Sequence, residues 1–270
     1  MLQDILNKYG ITLQKKLGQH FITDSNILSR IASAGDISHD DLVLEIGSGI
    51  GTLTNVLAKK AGLVIAVEMD RKLIPAAIEY LKGIGNIELV NQDIMKVNIP
   101  KEIRKHPGFK HLKVVANLPY YITSPVISML LEGKTKFDVM IFTIQKEVAR
   151  RLVSPPGNKE YGSFTVFVNY YAKPKIMFDI PASSFTPRPK VDSSVIRLDI
   201  LDKPSVKVKS EKLFFRVVRA AFNQRRKMLK NALEAAHLKW PDRTEIDGRR
   251  RGETLSIEEF ARLSDLISSV

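Results

Sequence analysis

Short apolar runs rich in β-branched residues alternate with helix-length amphipathic segments through the first half of the chain. The runs predict strands at residues 42–46, 63–68, 87–90, 114–116 and 139–144. Near-continuous Val, Ile and Leu strands separated by helices are typical of a parallel sheet that is buried on both faces. The pattern therefore predicts a doubly wound α/β domain, and such domains bind their ligands at the carboxyl ends of the strands.

Helical periodicity fills the segments between these strands. It predicts helices over residues 24–32, 52–61 and 71–81, and Asp24 stands where the first helix needs an N-cap.

The pattern changes after a Pro- and Gly-containing loop at residues 154–162. Two further β-rich stretches, 164–171 and 195–201, follow without a clear crossover helix, which predicts an antiparallel addition to the sheet. After a linker, periodicity predicts helices over residues 211–236 and 256–267. We therefore expect two domains, a large α/β domain and a small all-helical one, and their predicted ranges are 1–203 and 204–270.

Charge narrows the class of partner. The 270 residues contain 42 Lys and Arg against 29 Asp and Glu, which gives a formal charge of +13 at pH 7. Such an excess is typical of proteins that meet phosphates, so nucleic acid is the expected partner, although a merely basic surface gives the same sum.

Composition excludes several classes of site. The chain has no cysteine, which excludes disulfides, thiolate zinc sites, iron–sulfur clusters and a cysteine nucleophile. No apolar run approaches the roughly 20 residues of a bilayer span, and the start MLQDILNKYG lacks the basic-then-apolar layout of a signal peptide. We expect a cytoplasmic protein with no membrane partner.

A glycine-rich turn follows the first strand of the predicted sheet. The segment LEIGSGIGTLT places Gly47, Gly49 and Gly51 between a strand and a helix, where the missing Cβ atoms let a ligand approach the backbone. The spacing is G-x-G-x-G preceded by Glu45, and not the G-x-G-x-x-G of dinucleotide enzymes. A nucleoside that carries an amino acid is therefore favoured over a pyrophosphate, and S-adenosylmethionine fits that description.

Acidic residues follow the next two strands. Glu68 stands where such folds place the acceptor for ribose hydroxyls, and Asp93 supplies a carboxylate for the exocyclic amine of the cofactor's adenine. A glycine turn alone can be only a tight turn, and a strand-end acid only a solvated one. Together, the three features converge on one crevice at the ends of successive strands.

The segment Asn117-Leu118-Pro119-Tyr120 at the end of the fourth strand indicates the reaction. An exocyclic aromatic amine is a poor nucleophile because its lone pair is conjugated with the ring, so its methylation requires acceptors that draw the NH groups toward tetrahedral geometry. The Asn117 side-chain oxygen and the Leu118 carbonyl are candidate acceptors. Pro119 stiffens the turn, and Tyr120 can stack on an extruded base. Out of context, the same residues would be a strand-ending turn with a core tyrosine.

At this point the sequence resembles the rRNA adenine N6,N6-dimethyltransferases, specifically the bacterial small-subunit enzymes of the kasugamycin-sensitivity type. The motifs that carry the resemblance run in order through nearly the whole chain. They are KKLGQHFITD, LEIGSGIGTLT, VEMDR, NQDIM, NLPYYITSP, QKEVARRL, FTPRPKVDSSV and VVRAAFNQRRKMLKNAL.

The resemblance implies an S-adenosylmethionine-dependent methyltransferase with a Rossmann-like catalytic domain and a helical RNA- or ribosome-binding domain. Its substrate would be two adjacent adenosines near the 3′ end of 16S rRNA, in the 30S subunit or its precursor, and the product N6,N6-dimethyladenosine. Subunit biogenesis would be the process served. We expect a monomer and no metal.

The resemblance also implies the residues of the site. Cofactor contacts are expected at His20, Ile22, Gly47, Gly49, Glu68, Asp93 and Asn117. Many relatives carry Asn and Leu where this chain has His20 and Ile22; a histidine can still donate one hydrogen bond, and a catalytic base is the alternative role for His20. Phe185 resembles the aromatic that covers the opposite face of the target adenine from Tyr120, although by itself it would be a core phenylalanine.

A helix predicted over residues 214–233 separates into an apolar and a basic face. The residues expected to bind RNA are Arg216, Arg219, Arg225, Arg226, Lys227 and Lys230. Residues 249–251 add to this charge, and Lys15 and Lys16 are further candidates for phosphate contact. A solvated basic face is the alternative for such a stripe.

Two other functions compete with this interpretation. A DNA adenine methyltransferase would be expected to carry a second proline where Leu118 stands, and a sequence-reading domain. A non-catalytic assembly factor would keep the fold, but the intact Asn117, Tyr120 and cofactor acids argue against it.

Overall fold

The computed structural model describes residues 4–5, 8–11 and 19–267 of the chain, which forms two compact units. The first unit joins Met1–Ala149 to Lys175–Ile200, and the second joins Arg150–Pro174 to Leu201–Val270. Lys15 and Lys16 lie outside the described residues. No helix within the described ranges is long and apolar enough to cross a membrane.

A seven-stranded sheet is the framework of the first unit. The strands are β2 (Asp41–Ile46), β3 (Leu63–Glu68), β4 (Ile87–Asn91), β5 (His111–Asn117), β6 (Val139–Gln145), β7 (Ala172–Ile180) and β9 (Ser193–Ile200). Their order is β4-β3-β2-β5-β6-β9-β7, in which the five strands from β4 to β6 are parallel and β9 is antiparallel to β6. This confirms the doubly wound α/β prediction and the antiparallel addition.

Helices cover this sheet and alternate with its parallel strands. They are α1 (Ser25–Ala34), α2 (Thr52–Ala58), α3 (Ile74–Tyr80), α4 (Ile99–Arg104), α5 (Thr123–Glu132) and α6 (Lys146–Leu152). Every residue of β2 is buried. Because successive strand residues point to opposite faces, this burial means that both faces of the sheet are covered. On one face, Val43 and Val115 pack in a cluster with Ile31 of α1.

A pair of two-residue strands lies outside the main sheet. In it, β1 (Phe21–Ile22) pairs antiparallel with β8 (Phe185–Thr186). The α1 helix follows β1 closely, with Asp24 accepting hydrogen bonds from the backbone N–H groups of Asn26 and Ile27, as predicted for its N-cap.

The second unit is helical around its own apolar core. Its helices are α7 (Ser163–Tyr171), α8 (Glu211–Asn223), α9 (Leu229–Glu234) and α10 (Ile257–Ile267). Phe214 and Val218 of α8 pack there with Tyr170 of α7 and Phe260 of α10.

The prediction of a strand over residues 164–171 is wrong, because this segment is α7. Its β-branched and aromatic composition favours a strand, but Val166 and Tyr170, four residues apart, are buried on one helical face in the second core. The adjacent strand β7 was missed because its exposed Lys173 and Lys175 obscure the apolar pattern. Residues 150–174 consequently belong with the helical unit, and not with the large domain as expected.

The prediction of one helix over residues 211–236 is also wrong. The α8 helix ends at Asn223 and α9 begins at Leu229. The intervening turn pairs with a distant segment, since the Leu229 N–H donates to the Arg250 carbonyl (2.7 Å) and the Lys230 N–H to the Gly248 carbonyl (3.0 Å). Amphipathic periodicity continues across this break and therefore did not reveal it.

Candidate active site

The carboxyl ends of β2, β3, β4 and β5 open into one cleft, as expected for a doubly wound sheet. The predicted residues His20, Gly47, Gly49, Glu68, Asp93, Asn117 and Pro119 all line it. It is also lined by residues that the sequence did not single out, which include Gln19, Met69, Gln92, Met95, Tyr121 and Ile122. The structure thus brings together the features from three successive strands and the Asn-Leu-Pro-Tyr segment.

The glycine turn leaves room for a ligand at one position and is closely packed at another. Gly47 has φ +74°, and a Cβ atom there would meet no atom nearer than the Asn117 carbonyl oxygen at 3.8 Å. Gly49 has φ +61°, and a Cβ atom there would lie 2.2 Å from Cε1 of Phe21. Both positions favour glycine, Gly47 for its conformation beside the open cleft and Gly49 because Phe21 occupies the space.

Glu68 connects this turn to the end of β3. Its Oε2 accepts a hydrogen bond from the Gly49 N–H (2.8 Å) and its Oε1 one from the Asp70 N–H (2.7 Å). Burial raises the pKa of Glu68, while these backbone hydrogen bonds lower it. Because each carboxylate oxygen can accept more than one hydrogen bond, the fixed side chain can still accept from two vicinal hydroxyls in the cleft.

Asp93 has a structural and an available oxygen. Its Oδ1 caps a short 3-10 turn (Ile94–Lys96) by accepting from the Met95 N–H (3.0 Å). No described residue donates to Oδ2. Beside these acids, Met69 and Met95 are large apolar side chains that are exposed at the cleft. An apolar wall with a carboxylate at its edge suits a flat heterocycle that carries an exocyclic amine.

The amide of Asn117 is oriented by the backbone of the amino-terminal segment. Its Nδ2 donates to the carbonyl oxygen of His20 (2.8 Å). Since the nitrogen is used in this way, the amide oxygen is the group left to accept a hydrogen bond. This orientation is the one that the proposed role as an acceptor for the target amine requires.

The residues after Asn117 are held by the neighbouring strands. The Leu118 N–H donates to the Thr143 carbonyl of β6 (3.2 Å), and the Leu118 side chain is buried. The Leu118 carbonyl accepts no hydrogen bond from a described residue. Tyr120 is half-buried, its hydroxyl is hydrogen-bonded to Ser193 Oγ (2.9 Å), and burial raises its pKa. Tyr121, by contrast, is 58% exposed.

Two of the residues suggested by the resemblance do not reach the cleft. Ile22 is buried in the core of the first unit. Phe185 is 3% exposed and packs in the same core cluster, because the pairing of β1 with β8 turns it inward. The placement of Phe185 over a target base is therefore not what the structure shows, and the alternative of a core phenylalanine describes its position.

His20 lines the cleft, but its ring contacts protein groups. Nδ1 lies 2.6 Å from the Pro187 carbonyl oxygen, and the ring stacks against Tyr120 with centroids 5.9 Å apart.

Glu45, which precedes the glycine turn, is 1% exposed and does not line the cleft. Burial raises its pKa to about 8, with a contribution from the nearby charge of Glu68. Its Oε2 has no hydrogen-bond partner in the described part of the chain. The carboxyl is therefore held as the neutral acid at pH 7.

The missed residues left only weak signals in the sequence. Gln19 donates to Asp70 Oδ2 (2.6 Å), which joins the amino-terminal segment to the turn after β3. No spacing rule predicts such a contact between residues so far apart. Met69 and Met95 each stand within two positions of a predicted acidic residue, so their proximity to those acids was the usable signal.

The predicted RNA-binding residues of the second unit fall into two groups. Arg216 and Arg225 donate to backbone carbonyls, those of Ala236 (3.0 Å) and Lys159 (2.5 Å), and Arg225 also pairs with Glu253. Lys230 lies 3.9 Å from Glu234. Arg219, Arg226 and Lys227 are exposed and have no partner among the described residues.

Comparison with known proteins identifies the family. A family model described as "Ribosomal RNA adenine dimethylase" matches residues 10–269. The "Ribosomal RNA small subunit methyltransferase A" of Clostridium botulinum is 46% identical over 274 residues, which cover 99% of this chain and 98% of the relative. The protein of the same name from Alkaliphilus oremlandii is 45% identical over 272 residues, which cover 97% and 94%.

Solved structures agree with this at the level of the fold. A dimethyladenosine transferase from Plasmodium falciparum has a TM-score of 0.75 and 26% identity, covering 90% of this chain and 96% of that one. The 23S rRNA methyltransferase ErmE has a TM-score of 0.70 and 26% identity, covering 92% and 99%. The predicted Rossmann-like methyltransferase fold is thereby confirmed, and the chain belongs to the ribosomal RNA adenine dimethylase family.

Proposed function

We propose that this protein transfers methyl groups from S-adenosylmethionine to N6 of two adjacent adenosines near the 3′ end of 16S rRNA. The products are N6,N6-dimethyladenosines, made in the 30S subunit or its precursor during subunit biogenesis in the cytoplasm. Membership of the adenine dimethylase family supports the reaction, and relatives named small subunit methyltransferase A support the substrate.

The observation that carries the proposal is the orientation of the Asn117 amide. Because Nδ2 is bound to the His20 carbonyl, Oδ1 is available to accept from the N6 amine of an adenine in the cleft. The Leu118 carbonyl is the second acceptor. Two acceptors on one amine draw its lone pair out of conjugation with the ring, and this raises the nucleophilicity of the nitrogen in the transition state.

The cleft fits the cofactor in three respects. Glu68 has carboxylate oxygens for the ribose hydroxyls, Asp93 has a free oxygen for the adenine amine, and Gly47 leaves the space beside the turn open. When bound, S-adenosylmethionine supplies a methyl group on a sulfonium centre. The N6–C bond forms as the S–C bond breaks, and the N6 proton leaves to solvent.

The exposed cations of the second unit would hold the RNA through its phosphates. Arg226 and Lys227 lie in the turn between α8 and α9, and backbone hydrogen bonds place the 248–250 segment beside the end of this turn. Phosphate contacts position an RNA without reading its sequence. We assign these residues to substrate positioning and the cleft to the chemistry.

The test is methyl transfer from labelled S-adenosylmethionine to three substrates that lack the modification: 30S subunits, naked 16S rRNA and duplex DNA. We expect N6,N6-dimethyladenosine in the rRNA of the subunits, by nucleoside analysis. Labelled N6-methyladenine in the DNA would instead favour the DNA methyltransferase. Binding of subunits without methyl transfer would favour a non-catalytic assembly factor.

A further inference from the structure

His20 is joined to three different parts of the active site. Its carbonyl oxygen accepts from Asn117 Nδ2 (2.8 Å), its ring stacks against Tyr120 with planes inclined by 26°, and its Nδ1 lies 2.6 Å from the Pro187 carbonyl oxygen. Tyr120 is in turn bound to Ser193. A single residue therefore connects the amino-terminal segment, the Asn-Leu-Pro-Tyr segment and the loop that follows β8.

The contact with Pro187 determines the tautomer of the ring. A carbonyl oxygen can only accept a hydrogen bond, so Nδ1 carries the hydrogen. In the neutral ring, Nε2 is then the unprotonated nitrogen. The donor of the imidazole is thus used within the protein and is not offered to a ligand.

This hydrogen bond extends a very short strand pair. The β1–β8 ladder joins only Phe21 to Thr186 and Ile22 to Phe185. A two-stranded pair is marginal by itself, so a side-chain bond at its end adds to a weak structure. The neighbouring Phe21 also fills the space against Gly49 of the glycine turn.

The position of the His20 carbonyl determines what Asn117 offers to a substrate. If this carbonyl moves, Nδ2 loses its acceptor and the amide can rotate, so that nitrogen replaces oxygen at the target amine. A donor in that place would oppose the polarisation that the reaction requires.

We propose that His20 is a positioning residue for methyl transfer. Through Nδ1 it fixes the amino-terminal segment to the loop at Pro187, and through its own carbonyl it holds the Asn117 amide with the oxygen toward the substrate. This inference rests on the proposed function for its effect on turnover, but it also predicts structural properties that can be measured without any substrate.

Three substitutions separate the possible roles of the side chain. In His20→Asn, the amide Nδ2 takes the place of the imidazole Nδ1 and can donate to Pro187. In His20→Gln, the amide nitrogen lies at the Nε2 position, and in His20→Ala there is no donor. We expect kcat to fall about 10- to 100-fold in the Ala and Gln variants, with Asn restoring most of the loss and the KM for S-adenosylmethionine changing little.

Other roles for His20 predict other outcomes. A general base at Nε2 would make the Asn and Ala variants equally slow and would remove an acidic limb from the pH–rate profile. A direct cofactor contact would raise the KM for S-adenosylmethionine in all three variants. Either result overturns the proposal.

A double-mutant cycle tests the link to Asn117. If His20 acts through that amide, His20→Ala should slow the Asn117→Ala variant much less than it slows the wild type, in single-turnover measurements. Independent, multiplicative losses would contradict the link.

The last measurement does not depend on methyl transfer. The 15N shifts of the His20 ring should show the Nδ1–H tautomer, and the backbone amides of residues 185–187 should exchange faster in His20→Ala than in His20→Asn. An Nε2–H tautomer, or equal exchange in the two variants, would overturn the proposal. Failure of the wild type to methylate rRNA, with the expected tautomer and exchange, would count against the proposed function alone.

Discussion

The polar groups of the cleft and the cations of the second unit differ in how firmly the protein holds them. Glu68 and Asp93 each accept backbone hydrogen bonds, and Asn117 donates one. Arg226 and Lys227 extend into solvent without a partner among the described residues. A fixed carboxylate or amide can discriminate one ligand geometry, whereas a free cation adapts to phosphates in many arrangements.

This difference predicts separate consequences for chemistry and for binding. Substitutions in the cleft should change turnover or cofactor affinity while RNA binding stays intact. Substitutions among the free cations should do the reverse.

The largest effect is expected for Asn117→Ala. Removal of an acceptor used in the transition state should lower kcat about 100- to 1000-fold, while the affinity for 30S subunits barely changes. Single-turnover kinetics and filter binding measure the two quantities. If subunit binding collapses together with the rate, Asn117 has a structural role.

The next effect concerns stability and pH. Burial raises the pKa of Glu45 from its usual value of 4.5 to about 8, so the folded protein binds this proton more tightly than the unfolded chain. The free energy of unfolding should therefore fall as pH rises from about 4.5 to about 8, by an amount on the order of a few kcal/mol. Glu45→Gln removes this titration and should narrow the difference in stability between pH 5 and pH 8.5.

Urea denaturation at the two pH values measures this change. The exposed Glu132→Gln provides a control with the same change in chemistry. An equal loss of stability in the wild type and in Glu45→Gln would show that Glu45 is ionised in the folded protein at neutral pH.

A smaller effect is expected for Glu68→Ala. The ribose hydroxyls lose their acceptor, and the affinity for S-adenosylmethionine should fall by roughly 1 to 3 kcal/mol. Calorimetric titration gives this value directly. Unchanged affinity would remove Glu68 from the cofactor site.

The smallest effect per residue is expected among the cations. Charge reversal of Arg226 and Lys227 to Glu should raise the KM for subunits and flatten its salt dependence, by about one unit of log–log slope for each lost phosphate contact. Lys212→Glu, an exposed substitution elsewhere on the same unit, controls for net charge. If the control and the double variant have the same salt dependence, Arg226 and Lys227 are only solvated surface.

The sequence was most informative where spacing and burial agree. The strand predicted at residues 63–68 is β3, and the residues at the ends of four parallel strands do meet in one cleft. This succeeded because buried parallel strands have a distinctive composition and because the topology of the fold brings their carboxyl ends together.

Prediction failed where the deciding contact lies far away in the chain. Residues 164–171 form a helix because they pack against residues 214–260, and no local propensity contains that information. Phe185 faces the core because of its pairing with Ile22. The break after Asn223 depends on hydrogen bonds to residues 248–250.

The division of the chain into units has a consequence for its synthesis. Residues 150–174 leave the ribosome before the sheet has its antiparallel strand β9, and long before their packing partners in Leu201–Val270 exist. Phe167 and Tyr170 of α7 must therefore wait, with their apolar surface unburied, until α8 and α10 have been translated. A fragment cut at residue 203 would be permanently in that state, and we expect such a fragment to aggregate. The two activities should accordingly be dissected by point substitution in the full chain.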